Sequence, residues 1–298
     1  MASSVSTSTI TSTTSSPTTS SVTVLSLKKR SLVPAKWAET VRTVRMSECR
    51  EAGLTLAYAF ASDDYAQYVV SSDDDGGDTD GSSAGDSSGG SSLSSSADEQ
   101  KWRLHVDILT YTVASHCMSG LVTTVGPEYD SVALWVPPGK HLDGWWTQLR
   151  SGAWRLYFQL SLEGKRRYFR EILPLLHDTK AEVLGDREQD AWYLVFLGTK
   201  PNSQGRGYAA RLLKDVMAKA DAGNRPMYLE SSSQTNNAYY EKFGFEVKRD
   251  IFLERGPVPV RLSIMVREPR APSCKVTYAS STPMVKNFAL GGLKRLLG

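Results

Sequence analysis

The chain has 298 residues, 40% hydrophobic and 22% charged, which is enough apolar material for one or two buried cores and excludes a wholly disordered chain. No run approaches the roughly 18 to 20 consecutive apolar residues of a membrane-spanning helix. A net charge of +3, with no basic segment interleaved with aromatics, argues against a dedicated nucleic-acid binder. Cys49, Cys117 and Cys274 are scattered, as are His105, His116, His141 and His177. That pattern fits neither a disulfide framework nor the close spacing of a metal site. The expectation is therefore no bound metal, no membrane or nucleic-acid partner, and a reducing, cytoplasmic setting.

Residues 1–36 read as a disordered arm. Between residues 3 and 23 the chain is almost all Ser and Thr, with too little apolar area to offset the entropy of ordering. No acidic residue precedes Glu39, and Lys28, Lys29 and Arg30 follow the tract. This overlaps with organelle transit peptides, although arginine is scarce. Residues 37–268 read as one folded unit interrupted by an acidic insert, residues 71–99, which carries eight acidic residues and no Lys or Arg and is expected to stay solvated and disordered. Its Gly76–Gly81 string places Asp78, Asp80 and Gly81 at calcium-loop positions 3, 5 and 6. Gly76 and Ser87 then stand where the first and the bidentate carboxylate ligands belong, so a calcium loop is excluded. Residues 269–298 form a tail rich in Pro, Ser and Thr whose closing Phe288, Leu290, Leu293, Leu296 and Leu297 allow a short amphipathic helix, a weakly docked or frayed end being the plainer reading.

The informative stretch begins at Trp192. Trp192–Leu197 is a strand by its aromatic, aliphatic and β-branched content. A loop with Pro201-Asn202 follows, then Gln204-Gly205-Arg206-Gly207-Tyr208-Ala209. Next comes a helical face, Ala209, Leu212, Leu213, Val216, Met217 and Ala220, ending at Gly223-Asn224. A glycine-bearing turn that opens a helix offers unpaired N–H groups at the positive end of the helix dipole, which suits a phosphate or diphosphate. Taken alone it is also compatible with a turn that binds nothing. Gly205-x-Gly207-x-x-Ala210 satisfies a relaxed dinucleotide fingerprint, with Glu230 downstream, but that fingerprint follows its strand almost at once and here seven residues intervene. A P-loop is excluded because no Gly-Lys-Ser/Thr is present.

Beyond it, Met227–Glu230 reads as a strand, residues 231–237 as a polar loop and helix cap, and residues 238–245, Ala-Tyr-Tyr-Glu-Lys-Phe-Gly-Phe, as a short helix broken by Gly244. This order of strand, Gln-x-x-Gly-x-Ala loop, helix, strand and Asn-x-x-x-Tyr-Glu-Lys-Phe-Gly-Phe resembles the GCN5-related N-acetyltransferase (GNAT) superfamily. Within it, the run from Leu229 through Asn236 to Phe245 is most similar to the puromycin N-acetyltransferase type. A weaker resemblance covers residues 41–64, 132–137 and 259–266. Residues 138–190 carry no motif.

The resemblance implies an α/β (α+β) fold. Its mixed, mostly antiparallel sheet of about six or seven strands is flanked by helices and splayed where coenzyme A binds. It also implies acetyl-CoA as cosubstrate. Gln204, Gly205, Arg206, Gly207, Tyr208 and Ala209 would cradle the diphosphate, and Leu197, Gly198 and Thr199 would pair with the amide-bearing arm, as a peptide pairs with a sheet edge. Asn236 would contact the coenzyme, its plainer role being a helix N-cap. An N–H near Leu197 or Gly198, at a bulge, would polarise the thioester carbonyl. Tyr240 matches the family's general acid, and tyrosine and thiol differ by only about 1.5 in pKa; packing beside Phe243 and Phe245 is its structural alternative. Glu230 is the candidate base for the amine, or a satisfied structural carboxylate. Asp63 and Asp64, expected at the end of the first helix, are candidates for amine recognition or simply caps. The expected function is direct acetyl transfer to a primary amine of a small molecule in a ternary complex. The alternatives are a protein or histone acetyltransferase, a GNAT-like module that binds coenzyme A without catalysis, and a dinucleotide-binding oxidoreductase.

Overall fold

Thr- and Val-containing stretches favour extended backbone, and two of them in the N-terminal arm, β1 (Ser6–Thr9) and β2 (Thr23–Ser26), pair antiparallel with each other, where composition leads to an unstructured arm. They come from a computed structural model that describes residues 6–9, 23–26, 34–71, 90–142 and 144–270. The remainder of the arm, most of the acidic insert and nearly all of the C-terminal tail lie outside the described residues.

The folded unit is a seven-stranded sheet. β3 (Arg42–Thr43) leads into α1 (Cys49–Ala59) and α2 (Asp64–Val70). After the insert, α3 (Gly90–Ser119) precedes the hairpin of β4 (Leu121–Val125) and β5 (Ser131–Val136). Four short helices follow, α4 (Trp145–Ser151), α5 (Leu156–Gln159), α6 (Leu162–Lys165) and α7 (Leu173–Leu184), with a π-type turn over Arg166–Ile172 before the last. The chain closes with β6 (Trp192–Thr199), α8 (Tyr208–Ala222), β7 (Met227–Ser231), α9 (Gln234–Glu241), β8 (Glu246–Leu253) and β9 (Val260–Arg267). The strand order is β3-β4-β5-β6-β7-β9-β8, and every pairing is antiparallel except β6–β7. The mixed, mostly antiparallel sheet expected from the resemblance is the observed one, and a doubly wound dinucleotide fold, built on parallel strands, is excluded.

Side chains alternate across a strand, so β5 sends Val132 and Leu134 to one face and Ala133 and Trp135 to the other. The first pair packs under α1 and α3 with Ala52, Leu56, Leu109 and Val113. The second packs under α8, whose Leu212, Leu213, Val216 and Ala220 are wholly buried. At roughly 1.5–3 kcal/mol for each large buried aliphatic, this stripe holds α8 against the sheet and fixes where its N-terminus points. Arg267 of β9, its side chain 1% exposed, grips Asp221 at the other end of α8 through two bonds of 2.8 Å and donates to the Phe243 carbonyl.

Three sequence expectations need correction. Residues 90–99, assigned to the disordered insert, are the first turns of α3. Their Ser-rich composition nucleates a helix poorly, but extending an already packed helix costs little. Asp63 does not close the first helix; it caps the start of α2, accepting from the Tyr65 and Ala66 N–H groups. The polar loop of residues 231–237 is shorter than expected, since α9 begins at Gln234 and ends at Glu241, with Gly244 (φ +88°) in the turn after it.

Candidate active site

Strands β6 and β7 run parallel for only three pairs, Trp192–Met227, Tyr193–Tyr228 and Leu194–Leu229. Beyond Leu194 they separate, while β6 stays paired with β5 as far as Thr199. The edge of residues 195–199 that faces β7 is therefore left without a strand partner from β7, as a splayed sheet requires. The irregularity that opens it lies at Val195, because Leu134 pairs with Phe196 and Trp135 with Leu194. The bulge expected near Leu197 or Gly198 is thus two or three residues earlier. Gly198 has a different task. A Cβ there would lie 2.8 Å from both Ala59 and Leu56, so glycine lets α1 press onto β6.

At the end of β6, Lys200 N–H donates to the Asp130 carbonyl (2.9 Å) and Ser203 Oγ to Asp130 Oδ1 (2.6 Å). The β4–β5 hairpin thereby holds the loop that follows. Gly205 and Gly207 adopt φ of +75° and +74°, the left-handed region that favours glycine, and a Cβ at either would meet nothing within 4 Å. Gly207 is the N-cap of α8 and its side supplies no capping group. The N–H groups of residues 208–210 are the ones a helix start leaves without an intrahelical acceptor; the first regular bond is Arg211 N–H to the Gly207 carbonyl. Open space, oriented amides and the positive helix end together fit the diphosphate of coenzyme A.

A cleft of about 640 Å³ runs from this turn through the gap between β6 and β7. It brings together nearly all the sequence-predicted residues. Gln204, Gly205, Gly207, Tyr208 and Ala209 line one end, Leu197, Gly198 and Thr199 the middle, and Asn236 and Tyr240 the side of α9. Glu230 and Asp63 line it as well. Arg206 is the exception. It is exposed, and its guanidinium turns back to the Asn202 carbonyl at 3.2 Å. Asn236 is not the helix cap, which is Ser233 accepting from the Asn236 N–H. Asp64 is exposed and outside the cleft, whereas Asp63 accepts from Ser232 Oγ at 2.6 Å and so ties α2 to the end of β7.

Glu230 sits two residues after Tyr228, on the same face of β7, and Tyr193 lies beside Tyr228 on β6, the rings 5.4 Å apart. Burial pushes the Glu230 carboxyl up to about 7; the Tyr193 and Tyr228 hydroxyls, and Lys180 further off, pull the other way. Glu230 Oε1 and the Tyr228 hydroxyl are both buried without a partner, which is unusual for a structural carboxylate. Tyr193 itself is raised well above 10, chiefly by burial and then by the Glu230 charge.

Tyr240 is 9% exposed and packs edge-on against Tyr239 and Phe245. Burial raises its phenol well above 10, so the close match with a thiol suggested by unperturbed acidities does not hold in the folded chain. The group stays protonated at any working pH and is a permanent O–H donor. Sequence reasoning missed Tyr193, Val195, Ser203 and Asp130. The Tyr193–Tyr228 pair was accessible from strand alternation once the two strands were taken as neighbours; the bulge and the Asp130 anchor have no local signal. Among the described residues no group of three or more His, Cys, Asp or Glu is placed to hold a metal ion, and no helix is long and apolar enough to cross a membrane.

A family model described as an acetyltransferase (GNAT) domain matches residues 177–247. A Schizosaccharomyces pombe protein named as an uncharacterized N-acetyltransferase is 42% identical over 176 residues, which are 59% of this chain and 71% of that protein. The chain belongs to the GNAT acetyltransferase family. As a GNAT enzyme it is an acetyl-CoA-dependent N-acetyltransferase. Solved structures similar to this GNAT chain include a Corynebacterium glutamicum protein described as histone acetyltransferase HPA2 and related acetyltransferase (18% identity, 78% of this chain and 98% of that one, TM-score 0.45). Another is arylalkylamine N-acetyltransferase 2 of Aedes aegypti (13%, 78% and 99%, TM-score 0.45). Likeness at that level says nothing about which amine this GNAT enzyme acetylates.

Proposed function

We propose that this enzyme transfers the acetyl group of acetyl-CoA to the primary amine of a small molecule by direct attack in a ternary complex. In this reading the amides from Gly205 to Ala210 hold the diphosphate, Gln204 and Asn236 flank it, and the free edge of residues 195–199 takes the amide-bearing arm. A neutral amine attacks the thioester carbon. The C–N bond forms, the C–S bond breaks, the amine proton passes to Glu230, directly or through one water, and Tyr240 protonates the departing sulfur. An edge N–H near the Val195 bulge stabilises the carbonyl oxygen, a contribution of roughly 3–4 kcal/mol for one well-aimed donor.

The observation that carries the reading is the gap between β6 and β7, with a glycine-opened helix start at one end and, at the other, a buried carboxyl whose Oε1 is unpaired. A general base poised near neutrality is matched to deprotonating an ammonium. A small-molecule acceptor is favoured over a protein tail by the second hollow, lined from α2 and α3, that adjoins the cleft through Tyr65, Tyr193 and Val195. The test is to incubate purified protein with acetyl-CoA and a panel of amines while following free thiol, with mass spectrometry of the products. Amine-dependent thiol release with a matching acetylated amine is expected. Acetylation of peptides alone, with none of the small amines, would reject the small-molecule reading.

A further inference from the structure

The second hollow has a volume of about 720 Å³, well within the range that encloses a drug-sized ligand. It lies on the Glu230 side of the sheet, between α2, α3 and the helices of residues 145–184. It shares Phe60, Tyr65, Leu176, Tyr193, Val195 and Phe196 with the coenzyme cleft, so the two meet at the sheet opening beside Glu230. Away from that junction its wall joins an apolar set, Val69, Ile108, Tyr111, Leu156, Tyr168 and Phe169, to a polar one that includes Lys140, His141, Gln148, His177, Lys180 and Glu188. Tyr168 and Phe169 come from the π-type turn of residues 166–172 and stack edge to face at 5.0 Å. Turns of this type inside helices recur at functional sites.

One fully buried polar atom in this wall has no partner among the described residues. His116, 1% exposed, donates Nδ1–H to the Thr112 carbonyl at 2.7 Å, which leaves Nε2 as an acceptor; that nitrogen is buried and unpaired. Burial lowers this imidazole to about 4, so it is neutral throughout the working range. His105, the other buried histidine of the wall, is already engaged with the Ala57 carbonyl. A largely apolar inner wall with one buried, unpaired acceptor suits a ligand with an apolar body and one hydrogen-bond donor distant from its reactive end.

We infer that this chamber seats the acceptor, and that the acceptor is an aromatic amine bearing a hydroxyl or N–H donor that meets His116 Nε2 while its amino group reaches Glu230. The inference rests on the acetyl transfer proposed above and adds the class of amine. Ring burial orients the substrate and favours it over a short aliphatic amine. The donor then discriminates among aromatic amines, because a buried polar group left unpaired costs more than a paired one gains.

The experiment compares kcat/KM for butylamine, 1,4-diaminobutane, 2-phenylethylamine and 2-(4-hydroxyphenyl)ethylamine in wild type and in Ala66→Phe, Ala153→Trp and His116→Leu. Ala66 and Ala153 line the chamber and not the coenzyme cleft and come from different parts of the chain, so two independent fillings guard against one that fails to fold. Both ring amines should exceed butylamine by about 10- to 100-fold, and filling the chamber should remove that advantage while acetyl-CoA KM and butylamine turnover stay unchanged. His116→Leu should abolish the preference for the hydroxylated amine over 2-phenylethylamine. Intact butylamine turnover with no ring preference, a preference for the diamine, or a preference insensitive to both fillings overturns the chamber assignment alone. A filling that changes acetyl-CoA against hexanoyl-CoA use without touching amine preference also overturns it, making the hollow an acyl site. Absence of thiol release with every amine sinks the underlying reaction as well.

Discussion

Replacing Glu230 with Gln separates a functional carboxyl from a structural one, because activity and stability move in opposite directions. The carboxyl is carried from 4.5 to about 7, mainly by burial. Below pH 4.5 the folded and unfolded chains both hold the proton and no penalty exists. Between 4.5 and 7 the unfolded chain releases it while the folded chain keeps it, so stability falls as pH rises, and above 7 the full penalty stands. At about 1.4 kcal/mol for each tenfold change in proton affinity, this amounts to roughly 3 kcal/mol by pH 8. Glu230→Gln removes the charge, so urea denaturation at pH 8 should show the variant more stable than wild type by up to that amount, with the difference vanishing near pH 4.5. Turnover should change the other way. A base with pKa about 7 is about 9% ionised at pH 6 and about 91% at pH 8, so wild-type kcat/KM should rise about tenfold over that interval. Glu230→Gln should lose about 10²- to 10⁴-fold in rate at pH 8 and flatten that limb. A variant with wild-type turnover and an unchanged limb, or one less stable than wild type at pH 8, would refute the assignment.

The other predictions concern the acid, the anion cradle and the clamp beneath it. Tyr240→Phe should lower kcat by about 10-fold or more with little change in acetyl-CoA affinity, as loss of a transition-state donor requires; steady-state kinetics with thiol detection reads both. Gly207→Glu places bulk and negative charge at the start of α8 and forces a left-handed conformation on a residue with a Cβ. It should weaken acetyl-CoA binding by about 10-fold or more in calorimetry. Asp221→Ala strands the Arg267 guanidinium in the interior and should cost about 3–5 kcal/mol of unfolding free energy; a loss under about 1 kcal/mol would show the pair to be incidental.

The second half of the chain is legible in its sequence because each element carries its own signal. The strand at Trp192 is rich in aromatic and β-branched residues, the two glycines mark positive φ before α8, and α8 repeats its apolar residues at three and four. The stretch between Pro138 and Asp190 is opaque for a physical reason. Its helices cover a hollow on one side and expose Trp145, Trp146 and Phe158 on the other, so no single apolar stripe reports a helix period. Residues 90–99 carry no helix signal of their own because helix formation there depends on packing further along α3. Glu230 is legible as a strand-end carboxylate, yet its raised pKa comes from burial, and the Tyr193 and Tyr228 hydroxyls that oppose the rise are brought to it only by strand register. Tyr240 was legible by position but not by acidity, since burial against Tyr239 and Phe245 is a tertiary property.

The most direct measurement is a crystal structure of the protein with coenzyme A. The diphosphate should lie within hydrogen-bonding distance of the amides of residues 205–210, with the pantetheine arm along the edge of residues 195–199 and the sulfur near the Tyr240 hydroxyl. Coenzyme bound elsewhere, or β6 and β7 zipped together beyond Leu194 with Tyr240 cut off from the thiol, would contradict the account.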